Sequence, residues 1–86
     1  MAKLTVADGT KIRLERERAD LTVDELVELL RKEEGIERHP DTLRNVELGH
    51  APPGLKLFNA VARILGRRTG ITREDLLADE PAKETA

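Results

Sequence analysis

Between His39 and Gly49 the sequence carries a helix start, a helix stop and two unlike faces within eleven residues. Pro40 suits a first helical turn, where its missing amide hydrogen costs nothing. His39 or Asp41 can cap that turn, and Gly49 fits the left-handed residue that closes a helix. Leu43 and Val46 share the inner face with Leu48 at its edge, which leaves Asp41, Arg44 and Asn45 outside. Carboxylate, guanidinium and amide side chains can hydrogen-bond to base edges or to phosphates. The same three residues also suit the solvated face of an ordinary surface helix, so the neighbouring segments have to decide between the two readings.

The chain has 86 residues, room for one domain and one modest core. Phe58 is its single aromatic residue, which favours aliphatic helix packing over the stacking platforms that hold single-stranded nucleic acid. Cysteine is absent, so disulfides and thiolate metal sites are excluded. No apolar stretch has the length of a signal peptide or a membrane span, and the expectation is a cytoplasmic protein, nucleoid-associated when bound to DNA. The net charge of −2 counts against a nucleic-acid partner, because phosphate binding favours a basic surface. That excess, however, resides in Asp79, Glu80 and Glu84 against Lys83, so the remainder is neutral and can carry a basic face with its acids elsewhere.

In chain order, Thr5 to Ala19 reads as a first helix with Val6 and Ile12 inward, although Gly9 interrupts it; a turn follows at Asp20 and Leu21. Thr22-Val23-Asp24-Glu25 is a capping box, with Leu21 placed as a hydrophobic staple to Leu26. The helix from Val23 carries the stripe Leu26, Val27, Leu29 and Leu30, then a solvent-exposed polar extension, Arg31 to Glu34, that ends at Gly35. Ile36 to Arg38 connects it to the central helix, with Ile36 tucked beneath. Two prolines and two glycines between Gly49 and Gly54 demand a loop. Leu55 to Leu65 resumes helical spacing with Leu55, Phe58, Val61, Ala62 and Leu65 on one face; Phe58 is expected as the largest core residue. Gly66 to Gly70 reads as a basic loop, and Ile71 to Leu77 as a fifth helix begun by Thr72 and Asp75, with Leu76 and Leu77 closing the core or a dimer contact. Residues 78–86 are expected as a flexible acidic tail beyond a single domain at 1–77. The fold class is all-α, a compact domain of five helices.

The order of these segments resembles the helix-turn-helix domain of the Cro and phage-repressor type, the XRE family, across residues 5 to 77. Gly9-Thr-Lys-Ile-Arg13 with Arg16 resembles the family's first-helix pattern. Leu21-Thr-Val-Asp-Glu-Leu26 is similar to its Leu-Thr-Gln-Glu-Glu-Leu opening of helix two, and Thr42-Leu-Arg-Asn-Val-Glu-Leu-Gly49 to the family's recognition helix and exit. Pro53, Leu55, Phe58, Val61, Ala62 and Leu65 resemble the helix that follows. The chain departs from the pattern in the eleven residues between Leu30 and Thr42, a longer run than the family usually has, and in Arg67 to Gly70.

The resemblance implies a lambda-repressor-like fold and a regulator of transcription, a repressor, that binds double-stranded DNA with the helix at 40–48 in the major groove. It implies base contacts from Pro40, Asp41, Arg44 and Asn45. Arg pairs with guanine, Asn with adenine and Asp with cytosine, while Pro40 offers only apolar contact. Phosphate contacts fall to Thr22 and Val23 at the start of helix two and to Arg38, His50 and Lys56 around the recognition helix. It also implies a structural ion pair between Arg16 and Glu47, and homodimers on pseudo-palindromic operators.

Two other classes compete. Catalysis is disfavoured: the chain has no Ser and no Cys, and its two histidines, His39 and His50, lie at no common metal-ligand spacing. No cofactor or metal is expected. The second alternative is an antitoxin or other protein-interaction module on the same fold, which the acidic balance favours.

Overall fold

The computed structural model describes residues 7–77. Four α-helices, α1 (Gly9–Arg18), α2 (Val23–Leu29), α3 (Pro40–Leu48) and α4 (Leu55–Thr69), are joined by short connections. A π-helical turn, Leu30–Glu34, prolongs α2, and a single 3₁₀ turn, Arg73–Leu76, follows α4. Among the described residues there is no strand, only an isolated antiparallel bridge between Ala7 and Leu77. None of the described helices is long and apolar enough to cross a membrane.

The first helix begins at Gly9 rather than at Thr5. Asp8 is its cap, its carboxylate accepting from the Thr10 amide at 2.9 Å and the Lys11 amide at 3.3 Å. Gly9 sits where the start of α1 meets the end of α3: a Cβ there would lie 2.2 Å from the Val46 carbonyl oxygen and 2.6 Å from that of Glu47. The residue that breaks the helical pattern in the sequence is therefore the one that lets two backbones touch. Ile12 is buried as expected; Val6 lies outside the described residues. At the other end Asp20 takes the left-handed conformation, φ 64°, so that the Leu21 amide reaches the Arg16 carbonyl at 3.1 Å.

The capping box forms in full. The Thr22 hydroxyl accepts from the Glu25 amide at 3.0 Å, and the Thr22 amide donates to the Glu25 carboxylate at 2.8 Å. Leu26 and Leu30 reach the centre of the core, and Leu21 packs against it. The helix widens into its π turn and stops at Gly35, where the Leu30 carbonyl accepts both the Gly35 and Ile36 amides. Ile36 is buried as expected. The polar extension is not wholly solvated, which corrects the expectation. Glu34 accepts from Arg63 at 2.7 Å and from Arg67 at 3.4 Å, leaving its side chain 11% exposed, and Glu33 accepts from Arg67 at 2.6 Å.

Those arginines are helical, so the basic loop expected at 66–70 is instead the last turn of α4, stopped by left-handed Gly70. Gly66 is tolerated inside the helix because the returning chain crosses there: a Cβ would come within 2.9 Å of the Ile71 carbonyl oxygen. The inward face also differs. Leu55, expected inside, is 66% exposed at the first turn of α4, whereas Leu57, Ala60 and Ile64 are buried beside Phe58, Val61, Ala62 and Leu65. α1, the π turn and the 3₁₀ turn all pack against α4, so its buried sector is wider than a single stripe.

The expected fifth helix is only the 3₁₀ turn, held by the Thr72 amide donating to Asp75 at 2.9 Å. Arg73 lies over the Phe58 ring, 5.2 Å from its centre, and its Nε donates to Asn59 at 2.7 Å. Leu76 is fully buried in the core and so makes no dimer contact; Leu77 is partly buried and bridges to Ala7. The tail expected at 78–86 lies outside the described residues.

Candidate nucleic-acid interface

Everything that faces the protein from α3 fixes its position. Leu43 and Val46 are buried, and Glu47, also buried, forms a two-pronged pair with Arg16 of α1: Nε to Oε2 at 2.7 Å and Nη2 to Oε1 at 3.0 Å. The third guanidinium nitrogen, Nη1, donates to the Leu21 carbonyl at 2.8 Å, so Arg16 ties together α1, the turn before α2 and the end of α3. The Glu47 hydrogen bond raises the Arg16 pKa against the opposing effect of burial, and the guanidinium stays charged. The pair expected from the resemblance is thus present.

The solvent side of α3 carries Asp41, Arg44 and Asn45, all exposed, with Pro40 half-buried at the first turn. Between His39 and Asp41, the two candidates for the cap, the helix uses His39: its Nδ1 accepts from the Asp41 amide at 3.0 Å. That contact assigns the proton of the neutral ring to Nε2. Arg44 is not idle, because its Nη1 donates to Asp41 Oδ1 at 2.8 Å. The three-residue spacing of the two on one helix is the sequence signal for the pair. Leu48, expected at the edge of the inner face, is 62% exposed.

The residues expected at phosphates are distributed around this helix. Arg38 and His50 flank α3 at its two ends, and Lys56 lies in the first turn of α4; all three are exposed. Arg38 donates to the Glu37 carbonyl at 2.9 Å, and neither it nor Lys56 has an acidic partner among the described residues. Thr22 and Val23 stand at the start of α2, whose first-turn amides point outward as in any helix. Two of the local donors are already taken by the capping box, and Asp24 and Glu25 place two carboxylates at the same end. That local negative charge opposes an incoming phosphate.

Among the described residues no cluster of His, Asp or Glu capable of holding a metal ion forms. The chain matches no protein-family model, and no characterised protein or solved structure proved similar to it.

Proposed function

We propose that this protein is a sequence-specific double-stranded DNA-binding regulator of transcription, a repressor, with α2 and α3 as a helix-turn-helix unit and α3 in the major groove. One observation carries the reading: α3 is fixed from behind by Leu43, Val46 and the Arg16–Glu47 pair while Arg44 and Asn45 face solvent from its opposite side. A rigid helix presenting a guanidinium and an amide is what base-edge recognition requires. In this reading Arg44 and Asn45 read bases and Pro40 offers apolar contact. Asp41 either accepts from cytosine or holds Arg44 in place, and Arg38, His50 and Lys56 anchor phosphates; Thr22 and Val23 are left out of that role, because the capping box and the carboxylates of Asp24 and Glu25 occupy the start of α2. The protein acts by binding, without catalysis or cofactor, in the cytoplasm. Binding titrations with Arg44→Ala and Asn45→Ala test this: base preference at one or two operator positions should relax by about 1–3 kcal/mol each. Unchanged preference in both variants removes them from the reading role.

A second reading, a protein-interaction module such as an antitoxin, is favoured by the exposed Leu48 and Leu55 and by a largely apolar groove of about 290 Å³ near Pro53, Leu55, Phe58 and Leu77. The same surface suits a homodimer contact now that Leu76 belongs to the core. Sedimentation with and without operator distinguishes a dimer on DNA from a monomer.

A further inference from the structure

We infer that the shallow cleft between α2 and the strap leading into α3, about 340 Å³ and lined by Val27, Arg31, Glu37, Arg38 and His39, is a binding site for a phosphate group. The cleft exists because the π turn and Gly35 carry the chain away from α2 before it returns to cap α3, placing basic side chains on both walls. From the strap, Arg38 spends one Nη1 hydrogen on the Glu37 carbonyl and meets no acid among the described residues, so the rest of its guanidinium fork is available. From the π turn, Arg31 is paired with Glu28, a carboxylate that also has Lys32 Nζ at 3.9 Å, and it feels the charge of Glu37 across the cleft. His39 adds a donor of fixed identity: with Nδ1 accepting from the Asp41 amide, the ring proton sits on Nε2, and the side chain is 72% exposed. Among the described residues Glu37 is the one acid lining the cleft, and Asp41 Oδ2 lies 3.7 Å from His39 Nδ1 at its edge.

Donors standing on two walls suit an anion that carries oxygens on more than one side, as a tetrahedral phosphate does, and guanidinium groups pair with phosphate oxygens in two-pronged fashion. The shared chemistry has two sources, the phosphodiester of a nucleic-acid backbone and the phosphomonoester of a small molecule. Only Arg38 is common to this site and to the function proposed above; nothing in the cleft requires α3 to read bases.

The test follows the His39 ring and the Arg31 and Arg38 Nε–H resonances of the full chain by NMR at low salt. Inorganic phosphate and a short random-sequence duplex are titrated separately. All three groups should shift in a saturable way with at least one titrant. The double variant Arg31→Gln, Arg38→Gln should weaken that affinity about tenfold or more, with an unchanged melting curve, and Glu37→Gln should strengthen it. A response to duplex alone assigns the site to the diester backbone, and a response to phosphate alone assigns it to a free monoester; both support the site. If duplex moves Arg44 and Asn45 while the three cleft groups stay still under both titrants, the site is overturned and groove reading stands. If neither titrant moves them, the site is overturned as well.

Discussion

Gly9, Arg16 and Glu47 meet at one junction, where single atoms decide whether α3 is held. A methyl group on Gly9 has nowhere to go, since the nearest neighbours are backbone oxygens at 2.2 and 2.6 Å. Gly9→Ala should therefore destabilise by about 1–3 kcal/mol, the usual cost of overpacking. In a domain of this size each kcal/mol lowers the melting temperature by roughly 4–8 °C. A melting point at or above the wild-type value would show that the two backbones are not in contact. Arg16 and Glu47 have side chains only 11% and 5% exposed, so removing one partner strands a buried charge. Arg16→Met should cost roughly 3–5 kcal/mol, and Arg16→Met with Glu47→Leu much less. A double-mutant cycle without coupling would mean that the pair does not form in solution.

At the scale of elements, the π turn and the end of α4 are clasped by Glu33 and Glu34 on one side and Arg63, Arg67 and Arg68 on the other. The Arg63 hydrogen bond lowers the Glu34 pKa below the ordinary glutamate range, outweighing the opposite effect of burial. Folding thus favours the charged carboxylate. The clasp contributes fully above the unfolded value of about 4.3 and is lost as pH falls through the lower folded value. Thermal melts taken from neutral pH downward should lose stability across that window, and Glu34→Gln should flatten the acid limb; an identical limb in the variant would contradict the clasp. This element is not legible in the sequence, because its partners lie 29 to 35 residues apart and each taken alone reads as a solvated charge. Local signals fared better. The capping box at Thr22, the stop at Gly35 and the bounds of α3 all depend on neighbours within a few residues, and all formed. Leu55 is exposed because the packing of the first turn of α4 is set by elements distant in the chain, whereas the crossing that favours glycine at position 66 comes from Ile71 just beyond the helix end, where a periodicity reading shows only a loop.

For the molecule as a whole, the acidic balance and the neutralised arginines weigh against long-range attraction to DNA, so the proposed recognition depends on a small set of charges close to α3. Arg38 and Lys56 have no acid partner among the described residues, whereas Arg44 is held by Asp41 and the arginines of α4 are engaged in the clasp. Affinity for duplex should fall as salt rises, with a log–log slope near −0.9 for each phosphate contacted. Arg38→Gln and Lys56→Gln should each make that slope shallower by about one contact; a flat salt response would favour the apolar surface at Leu48 and Leu55 and a protein partner. The candidate site was legible to the extent that the face of α3 was, and the Asp41–Arg44 spacing and the acids Asp24 and Glu25 stand in the sequence too; what the assembled structure adds is that Arg44 donates to Asp41 and that the capping box takes two donors at the start of α2. The most direct measurement is selection of bound duplexes from a random pool at low ionic strength, using the wild-type chain and Arg44→Ala in parallel. A groove reader enriches a defined motif that the variant degrades at one position; retention of no duplex by the wild type, or the same motif from both proteins, would contradict it.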